Sequence, residues 1–464
     1  MKTKIIATLG PSSNDYETIR KLVETGVDGF RLNLVYGTLE EKKEIIGHIR
    51  KIEKELGLSI PIIVEIQGRT LRIGEMPVSP LQQKEKIIFK LGAEKSEDRH
   101  IVPVPYAIPP NVIKPKDKIL LADGRIIVSV DKIEEDEIEG TVLRGGTLRT
   151  LARIAIQRKS ILKLSPIISD DINKLKELIK HDIDAIMVPD VLSHEDIKII
   201  KDVINQHKAN DIRILARIEN PEALPKIRSI ARESDGIVIA KENIENMLAD
   251  EERPIADMFL EDFIVRSTLQ EGRPILIIPP TIESILTTPI MKRADIVSLS
   301  LVAEKGFDAI ILCSETAIGE FPVESVKYVK KITSELESRV TPRKIDLEKC
   351  PLYIKFNHGL VMLSENIKAK ISIFTTRGNT ALAISRFRPK SIIYSFTNSI
   401  RTARYLNLVW GVEPLPIDSI PTFGEMKRIL LEKGYIKKND FVVFSIGWRP
   451  ELGTKQSLLI EMIS

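Results

Sequence analysis

The chain has 464 residues, of which 43% are hydrophobic and 29% charged, which indicates an ordinary globular protein of about three domains. Its formal net charge of only +4 argues against a general nucleic-acid or membrane-surface binder, although a local patch could still hold a small anion. No apolar run is long enough to span a membrane, only two cysteines occur, and a strand pattern begins at Lys4, so we expect a cytoplasmic protein without a signal peptide.

Short runs rich in Ile and Val alternate with amphipathic helices along most of the chain. The helices are predicted at 15–25, 38–56, 169–181 and 193–207, with Asn14 and Ser193 as caps at their starts. Each run is continuously apolar, which is typical of parallel strands buried on both faces. Eight such strands with helical crossovers predict a (β/α)8 TIM barrel. The runs are 4–10, 29–35, 61–67, 184–190, 212–220, 235–243, 274–280 and 308–316.

The helical period disappears after the third run and returns about ninety residues later. In between, short strands at 118–121, 126–130 and 138–143 are separated by turn signals, which predicts an inserted small β-barrel lid domain. After a linker at 338–343, strands at 371–375, 391–396 and 441–444 alternate with helices, which predicts a separate α/β domain. The predicted boundaries are 1–73 and 164–338 for the barrel, 74–163 for the lid and 339–464 for the C-terminal domain.

Charged and polar side chains collect where the barrel strands are predicted to end. In this fold the reactive groups project from the C-terminal ends of the strands. Cations and carboxylates on one rim suit a phosphorylated substrate held with Mg²⁺, because arginine forms bidentate hydrogen bonds with phosphate and carboxylates ligate the metal. The alternative is that these residues are ordinary solvated loop charges. Because the whole set is predicted on one face, we favour the binding site over that alternative. The residues are Arg31, Asn33, Glu65, Arg72, Asp190, Arg217, Glu219, Lys241, Glu242, Asn243 and Glu315.

A second anion site is predicted in the C-terminal domain, where residues 374–380 join a strand to a helix. Backbone amides at the helix start, hydroxyl groups and an arginine would bind a phosphate group. A helix cap with a turn glycine is the other reading, and both stay open. The loop at 447–450 follows a neighbouring strand and offers a second ligand contact. The candidate residues are Thr375, Thr376, Arg377, Gly378, Thr380, Trp448 and Arg449.

Several segments resemble the pyruvate kinase family over essentially the whole chain. They are KTKIIATLGPSS at 2–13, FRLN at 30–33, ARIEN at 216–220, SETA at 314–317, GNT at 378–380 and LNLVWGV at 406–412. The resemblance implies phosphoryl transfer from phosphoenolpyruvate to ADP with Mg²⁺ and usually K⁺. It also implies a homotetramer and a phosphorylated effector bound by the C-terminal domain, with no nucleic-acid or membrane partner.

The resemblance also assigns roles to individual residues. Arg31 and Arg72 match residues that the family uses on phosphate. Asn33 matches a potassium ligand, and Glu219 matches one of two carboxylates that hold magnesium. Asp123 matches the lid segment near the nucleotide.

This sequence departs from the family pattern at residues that take part in the reaction. The family lysine that neutralises the transferring phosphoryl group is Arg217 here, which keeps the charge but is planar and cannot release a proton. The second magnesium carboxylate falls at Asn243, unless Glu242 or Glu245 replaces it. A threonine that helps protonate the enolpyruvate corresponds to Pro279. Together these changes predict a loss on the order of 10³-fold or more.

Three hypotheses remain. The first is a family member with a degraded active site, weak or inactive, that acts as a binding or regulatory protein or as a subunit beside an active paralogue. It would keep phospho-ligand binding, because four matching residues remain, namely Arg31, Arg72, Glu219 and Glu315. The second is a working pyruvate kinase that uses Arg217 with Glu242 or Glu245; it would not require K⁺, because a potassium ligand is Val35 here. The third is another phosphoryl or enolate reaction on the same barrel.

Overall fold

The computed structural model describes residues 1–106, 113–157, 165–248, 252–341, 343, 345–446 and 457–464, without the side chains of 253–259. Eight parallel strands close into a barrel. The first three are β1 (Lys4–Thr8), β2 (Gly29–Asn33) and β3 (Ile62–Glu65). After the insertion come β12 (Ala185–Val188), β13 (Arg213–Ile218), β14 (Gly236–Ala240), β15 (Ile275–Ile278) and β16 (Ala309–Leu312). Their order around the barrel is β1-β16-β15-β14-β13-β12-β3-β2. The predicted TIM barrel is confirmed.

Alternation along each barrel strand explains why the strands have continuously apolar sequences. Ile5 and Phe30 pack against the surrounding helices, whereas Ile6 and Ile63 pack inside the barrel. All four side chains are fully buried. Both faces of the sheet are therefore withdrawn from water, as in other parallel sheets.

Helices surround the barrel in the predicted places. The cap of α1 is Asp15, whose side chain accepts a hydrogen bond from the Thr18 amide, rather than the predicted Asn14. Residues 241–243 and 314–316, predicted as strand ends, form the first turns of two helices. The helices are α1 (Tyr16–Thr25), α2 (Leu39–Leu56), α3 (Ser169–Leu178), α4 (His194–Gln206), α5 (Ile227–Glu233), α6 (Lys241–Met247), α7 (Arg253–Gln270), α8 (Glu283–Thr287), α9 (Arg293–Glu304), α10 (Ser314–Ala317) and α11 (Pro322–Leu336), with 3₁₀ turns at Ile179–His181, Pro221–Lys226 and Glu337–Arg339.

The insertion lies between β3 and β12, and we call it the lid. It contains a six-stranded sheet of order β11-β7-β8-β9-β5-β6 and a two-stranded sheet of β10 and β4. A closed β-barrel is not seen among the described residues of this segment. The strands are β4 (Ser79–Leu81), β5 (Lys86–Leu91), β6 (Ile101–Val104), β7 (Lys118–Leu121), β8 (Ile126–Ile133), β9 (Glu137–Arg144), β10 (Gly146–Leu148) and β11 (Ile154–Ile156).

The C-terminal residues form a five-stranded α/β sheet of order β19-β18-β17-β20-β21, in which only β21 is antiparallel to its neighbour. Two of its strands, β19 and β21, were not predicted. The elements are α12 (Leu352–Asn366), β17 (Lys370–Phe374), α13 (Asn379–Ser385), β18 (Ile393–Thr397), α14 (Ile400–Leu406), β19 (Val412–Pro416), α15 (Phe423–Glu432), β20 (Phe441–Ile446) and β21 (Ser457–Met462).

The C-terminal sheet and its helices pack against the end of the barrel where the strands begin. Arg388 donates to Asp308, which immediately precedes β16, with an Nη2–Oδ2 distance of 2.6 Å. Arg404 binds Glu53 at 2.6 Å, and the Tyr405 hydroxyl donates to the carbonyl of residue 235. The opposite end of the barrel, where the strands finish, is therefore left to the lid. No helix among the described residues is long and apolar enough to cross a membrane.

Candidate active site

A cavity of about 1010 Å³ lies between the finishing ends of the barrel strands and the lid. The ten residues predicted for substrate, nucleotide or metal all line this cavity, although their roles stay predictions. They are Arg31, Asn33, Arg72, Asp123, Arg217, Glu219, Glu242, Asn243, Pro279 and Glu315.

Glu65 lies at the centre of a buried ion network formed by three barrel strands. Its Oε2 accepts from Arg31 Nε at 2.6 Å, and its Oε1 accepts from Arg217 Nη1 at 2.8 Å. Arg31 also donates to the Thr8 hydroxyl at 2.9 Å. Burial alone would raise the pKa of Glu65, but the two guanidinium groups hold it below its ordinary value. The carboxylate is therefore ionised and fixes both arginines.

Glu219, at the end of β13, is the most heavily bonded carboxylate in the cavity. Its Oε2 accepts from Arg153 Nη1 at 2.7 Å and from Asn243 Nδ2 at 2.7 Å, and Arg217 Nη2 lies 3.2 Å away. Its Oε1 accepts from the Asp190 amide at 2.7 Å. Burial opposes ionisation, yet Arg153 and Arg217 outweigh it and lower the pKa of Glu219 to about 2.

Asp190 adds a second carboxylate beside this group. Its backbone is left-handed, with φ at 48°, and its Oδ1 is buried without a hydrogen-bond partner in the structure. Burial and the charge of Glu219 raise the pKa of Asp190 to about 6. Asp190 is therefore protonated more readily than Glu65 or Glu219, whose pKa values are lowered.

Arg72 is placed differently from Arg31, Arg153 and Arg217, which pair with Glu65 or Glu219. Its Nη1 donates to the Leu151 carbonyl at 2.8 Å and to the Tyr36 hydroxyl at 3.2 Å, and its guanidinium lies 5.6 Å from the centre of the Tyr36 ring. Tyr36 is 49% exposed, so it is an open cavity wall rather than a core aromatic. Within the part of the chain that the structure describes, Arg72 has no carboxylate partner, and its Nε is buried without a hydrogen bond. It is a cation available to an anion.

Two predicted residues bond to nearby backbone amides. Glu315 is buried, and its oxygens accept from the amides of Ile282 and Cys313 at 2.7 and 2.9 Å. The side-chain oxygen of Asn33 accepts from the Val35 amide at 3.0 Å. In this structure both side chains order the loops that border the cavity.

The lid is docked onto the barrel beside α6. Leu120 and Ile127 of the lid form a small apolar cluster with Met247 of the barrel, and all three are buried. Arg125 donates to the Thr281 hydroxyl at 3.1 Å, which adds a polar contact across the same boundary. These contacts close the cavity on the lid side.

Sequence reasoning missed Arg153, a lid residue that donates a hydrogen bond to Glu219. A single arginine before a strand is ordinary, and nothing in its local pattern points to Glu219, 66 residues away. Its position follows from the entry and exit of the lid, where residues 72 and 153 form an antiparallel bridge. Within that bridge, Ile73 and Ile154 donate to the carbonyls of Ala152 and Leu71.

The C-terminal loop predicted to bind an anion lies far from this cavity in the fold. Gly378 has φ at 86°, and its amide donates to the Thr375 hydroxyl at 3.1 Å. Thr376 and Arg377 are exposed, and Thr380 lies in the first turn of α13. The two remaining candidates, Trp448 and Arg449, lie outside the described residues.

Comparisons with known proteins place these features in a wider group. The family model described as "Pyruvate kinase, barrel domain" matches residues 1–326, and the one described as "Pyruvate kinase, alpha/beta domain" matches residues 357–460. The chain is 30% identical to the pyruvate kinase of Thermococcus litoralis, covering 96% of this chain and 95% of that one. It is 27% identical to the pyruvate kinase of Thermotoga maritima, covering 99% and 98%. The crystal structure of pyruvate kinase from Pyrobaculum aerophilum is similar with a TM-score of 0.83, at 26% identity and 99% coverage of both chains.

Proposed function

Because this chain belongs to the pyruvate kinase family, whose reaction transfers phosphate from phosphoenolpyruvate to ADP, we propose that it binds phosphoenolpyruvate but transfers the phosphoryl group weakly or not at all. The observation that carries this proposal is the arginine–carboxylate network of the cavity. Arg72 is left without a carboxylate partner among the described residues and can bind the phosphate. Glu219, the carboxylate that a metal would need, is already bonded to arginines of the network.

The first part of the proposal, that the protein binds phosphoenolpyruvate, depends on Arg72. This guanidinium is half-buried at the cavity wall, holds no carboxylate among the described residues and has a buried Nε–H without an acceptor. A buried N–H donor is stabilised by an acceptor, and phosphate oxygens match the geometry of a guanidinium group. Arg72 is therefore the residue we assign to the phosphate of the ligand.

The second part of the proposal, that phosphoryl transfer is weak or absent, depends on the residues at three positions that the family uses for catalysis. Arg217 is tied to Glu65 and Glu219, so its guanidinium is fixed and cannot release a proton. Asn243 turns its amide nitrogen toward Glu219 and so presents a donor where a metal needs an oxygen. Pro279 lines the cavity without a hydroxyl group. These residues do not fit the Mg²⁺ that the family generally uses.

A working enzyme that uses Glu242 is the second candidate. Glu242 lines the same cavity, and burial raises the pKa of its carboxyl group. Glu245 is less suitable, because it lies 3.7 Å from the Lys241 ammonium group and does not line the cavity. This candidate predicts turnover with Mg²⁺ or Mn²⁺ in the absence of K⁺.

Two measurements test the proposal. In calorimetry with phosphoenolpyruvate, we expect Arg72→Met to weaken binding by about tenfold to a hundredfold, since it removes a charge-assisted hydrogen bond. Arg149→Met is the matched control, because Arg149 also lines the cavity but is exposed. In a coupled assay with ADP, the parent should fall far below the 1–10³ per second that is roughly typical of enzymes. Turnover within that range would contradict the proposal and favour the second candidate.

A restored variant shows which losses matter. Arg217→Lys, Asn243→Asp and Pro279→Thr together return the three substituted positions to the family pattern. Any turnover gained by this variant over the parent would support a degraded site. Equal turnover in both would indicate that these positions do not limit the reaction.

We also propose that the C-terminal loop binds a phosphorylated effector through Thr375, Thr376, Arg377, Gly378 and Thr380, and that the protein is a homotetramer, as the family resemblance implies. The exposed Arg377 side chain supports the first part. Calorimetry with sugar phosphates and nucleoside monophosphates should show weaker binding to Arg377→Ala than to the parent. Unchanged affinity would refute the loop assignment.

A further inference from the structure

Arg153 reaches the barrel from the lid and is held there by the backbone. Its bridge with residue 72 joins the two segments through which the chain enters and leaves the lid. Its carbonyl also accepts from the Ala122 amide at 3.0 Å. Its side chain is only 11% exposed, so the guanidinium group is withdrawn from water when the lid is docked.

The target of Arg153 is the one carboxylate to which the resemblance assigns a metal. Glu219 is 1% exposed, and its Oε2 already accepts from Arg153 and Asn243, with Arg217 beside them. A magnesium ion requires near-octahedral oxygen ligands at about 2.0–2.1 Å. At Glu219 it would meet two guanidinium groups and an amide NH₂. Among the described residues, no group of three or more His, Cys, Asp or Glu side chains could hold a metal ion.

We propose that the Arg153 guanidinium replaces the divalent cation at Glu219, so that this cavity binds a phosphorylated carboxylate as an anion without divalent metal. The inference rests on the proposed function for the identity of the ligand. It goes beyond that function by naming the group that supplies the positive charge and the domain that delivers it. Because Arg153 is part of the lid, the charge is present only while the lid is docked.

The charges around Glu219 are compensated by side chains of this chain. Arg31, Arg153 and Arg217 face Glu65 and Glu219, and Asp123 lies 3.9 Å from Arg153, so three positive charges meet three negative ones. Asp190 adds a further carboxylate beside Glu219. Arg72 lines the same cavity and adds a positive charge that an anionic ligand would neutralise.

The test uses Mn²⁺ as the probe on the full chain, with free Mn²⁺ measured by electron paramagnetic resonance. We expect no tight Mn²⁺ site in the parent or in Asn243→Asp, where Arg153 still pairs with Glu219. The double variant Arg153→Ala, Asn243→Asp should gain at least about tenfold in Mn²⁺ affinity, because the guanidinium group is gone and two carboxylates converge. Arg149→Ala with Asn243→Asp is the matched control and should gain nothing.

Calorimetry with phosphoenolpyruvate completes the test. In EDTA the parent should bind as well as in Mn²⁺, whereas the double variant should lose about tenfold or more in EDTA and recover with Mn²⁺. A tight Mn²⁺ site in the parent that Glu219→Gln removes, or parental binding that requires Mn²⁺, would overturn the inference and leave the proposed function standing. If phosphoenolpyruvate binds to neither protein in any buffer, the proposed function fails, while the Mn²⁺ titrations still decide the role of Arg153. Thermal unfolding of each variant confirms that it is folded.

Discussion

At the scale of single residues, the cavity is built from buried charges whose partners are also buried. Glu65 is 2% exposed and lies between Arg31 and Arg217. Removing one member of such a group leaves the others charged and unpaired, which costs far more than the group adds as a whole. Each member is therefore held in place by its neighbours.

Glu65→Gln tests this dependence through pH. The folded pKa of Glu65 lies below its ordinary value of 4.5, so its stabilisation is present above that value and is lost as the pH falls through the folded pKa. At pH 7 the variant should be less stable than the parent by about 3 kcal/mol. Thermal unfolding at a series of pH values should show this difference shrinking below about pH 4.5.

The control for that series is Glu55→Gln. Glu55 pairs with Arg20 at 3.0 Å, but both side chains are 37% exposed, so the change should cost only about 0.5 kcal/mol at pH 7. A stability difference for Glu65→Gln that stays constant from neutral to acid pH would contradict the buried-charge account.

At the scale of elements, the lid depends on a small apolar contact. Leu120 of β7 and Ile127 of β8 bury Met247 of α6, which is 4% exposed. This cluster and the Arg153–Glu219 ion pair lie on the same boundary between lid and barrel. The lid can therefore be loosened without touching a cavity charge.

Met247→Ala should loosen that contact. Deleting most of a buried methionine costs about 2–3 kcal/mol, here mainly from the docked state of the lid. Hydrogen exchange should become faster in β7 and β8 and stay unchanged in β17 and β18. Met362→Ala is the matched control, because Met362 is 48% exposed. Equal exchange in both variants would show that the cluster does not hold the lid.

The sequence predicts the barrel well, because strands buried on both faces have to be continuously apolar. The two C-terminal strands that escape prediction have physical reasons for doing so. β19 contains Pro414 and Pro416, which an edge strand tolerates but a strand pattern does not suggest. β21 is an antiparallel edge strand whose Leu458, Leu459 and Ile460 are all exposed, so no alternation marks a buried face.

In the candidate site too, some residues could be predicted from the sequence and others could not. Arg31, Glu65, Arg217 and Glu219 could be placed on one rim, because the fold brings the ends of parallel strands together. Arg153 could not, because its contact depends on how an inserted domain docks. Local sequence patterns carry no information on that docking. The contact of Arg153 with Glu219 therefore follows from the tertiary structure and not from the local sequence.

At the scale of the whole molecule, ion pairs join the C-terminal domain to the beginning of the barrel strands. Arg404 is 6% exposed and binds Glu53 and Asp184. Burial alone would lower the pKa of Arg404, but the interactions with these two carboxylates raise it above its ordinary value. Arg388 and Asp308 form a second pair in which both side chains are fully buried, and Asp308 also accepts from the Trp410 amide. The two domains should therefore unfold together.

Arg404→Met tests this coupling. Breaking the buried group should destabilise the protein by about 3–5 kcal/mol and split a single calorimetric transition into two. Arg428→Met is the control, since Arg428 pairs with Glu432 on the exposed face of α15 and should shift nothing measurably. A single transition in Arg404→Met, at the parental temperature, would show that the pair does not couple the domains.

The pairing of Arg153 with Glu219 also constrains the order in which mutations can accumulate. Asn243→Asp alone would replace the hydrogen bond from Asn243 Nδ2 to Glu219 Oε2 by a contact between two carboxylates, with Arg153 and Arg217 still beside Glu219 as compensating charges. Losing Arg153 first would leave Glu219 with less compensation before any metal site exists. The two substitutions should therefore be epistatic, with the aspartate better tolerated while Arg153 is still present.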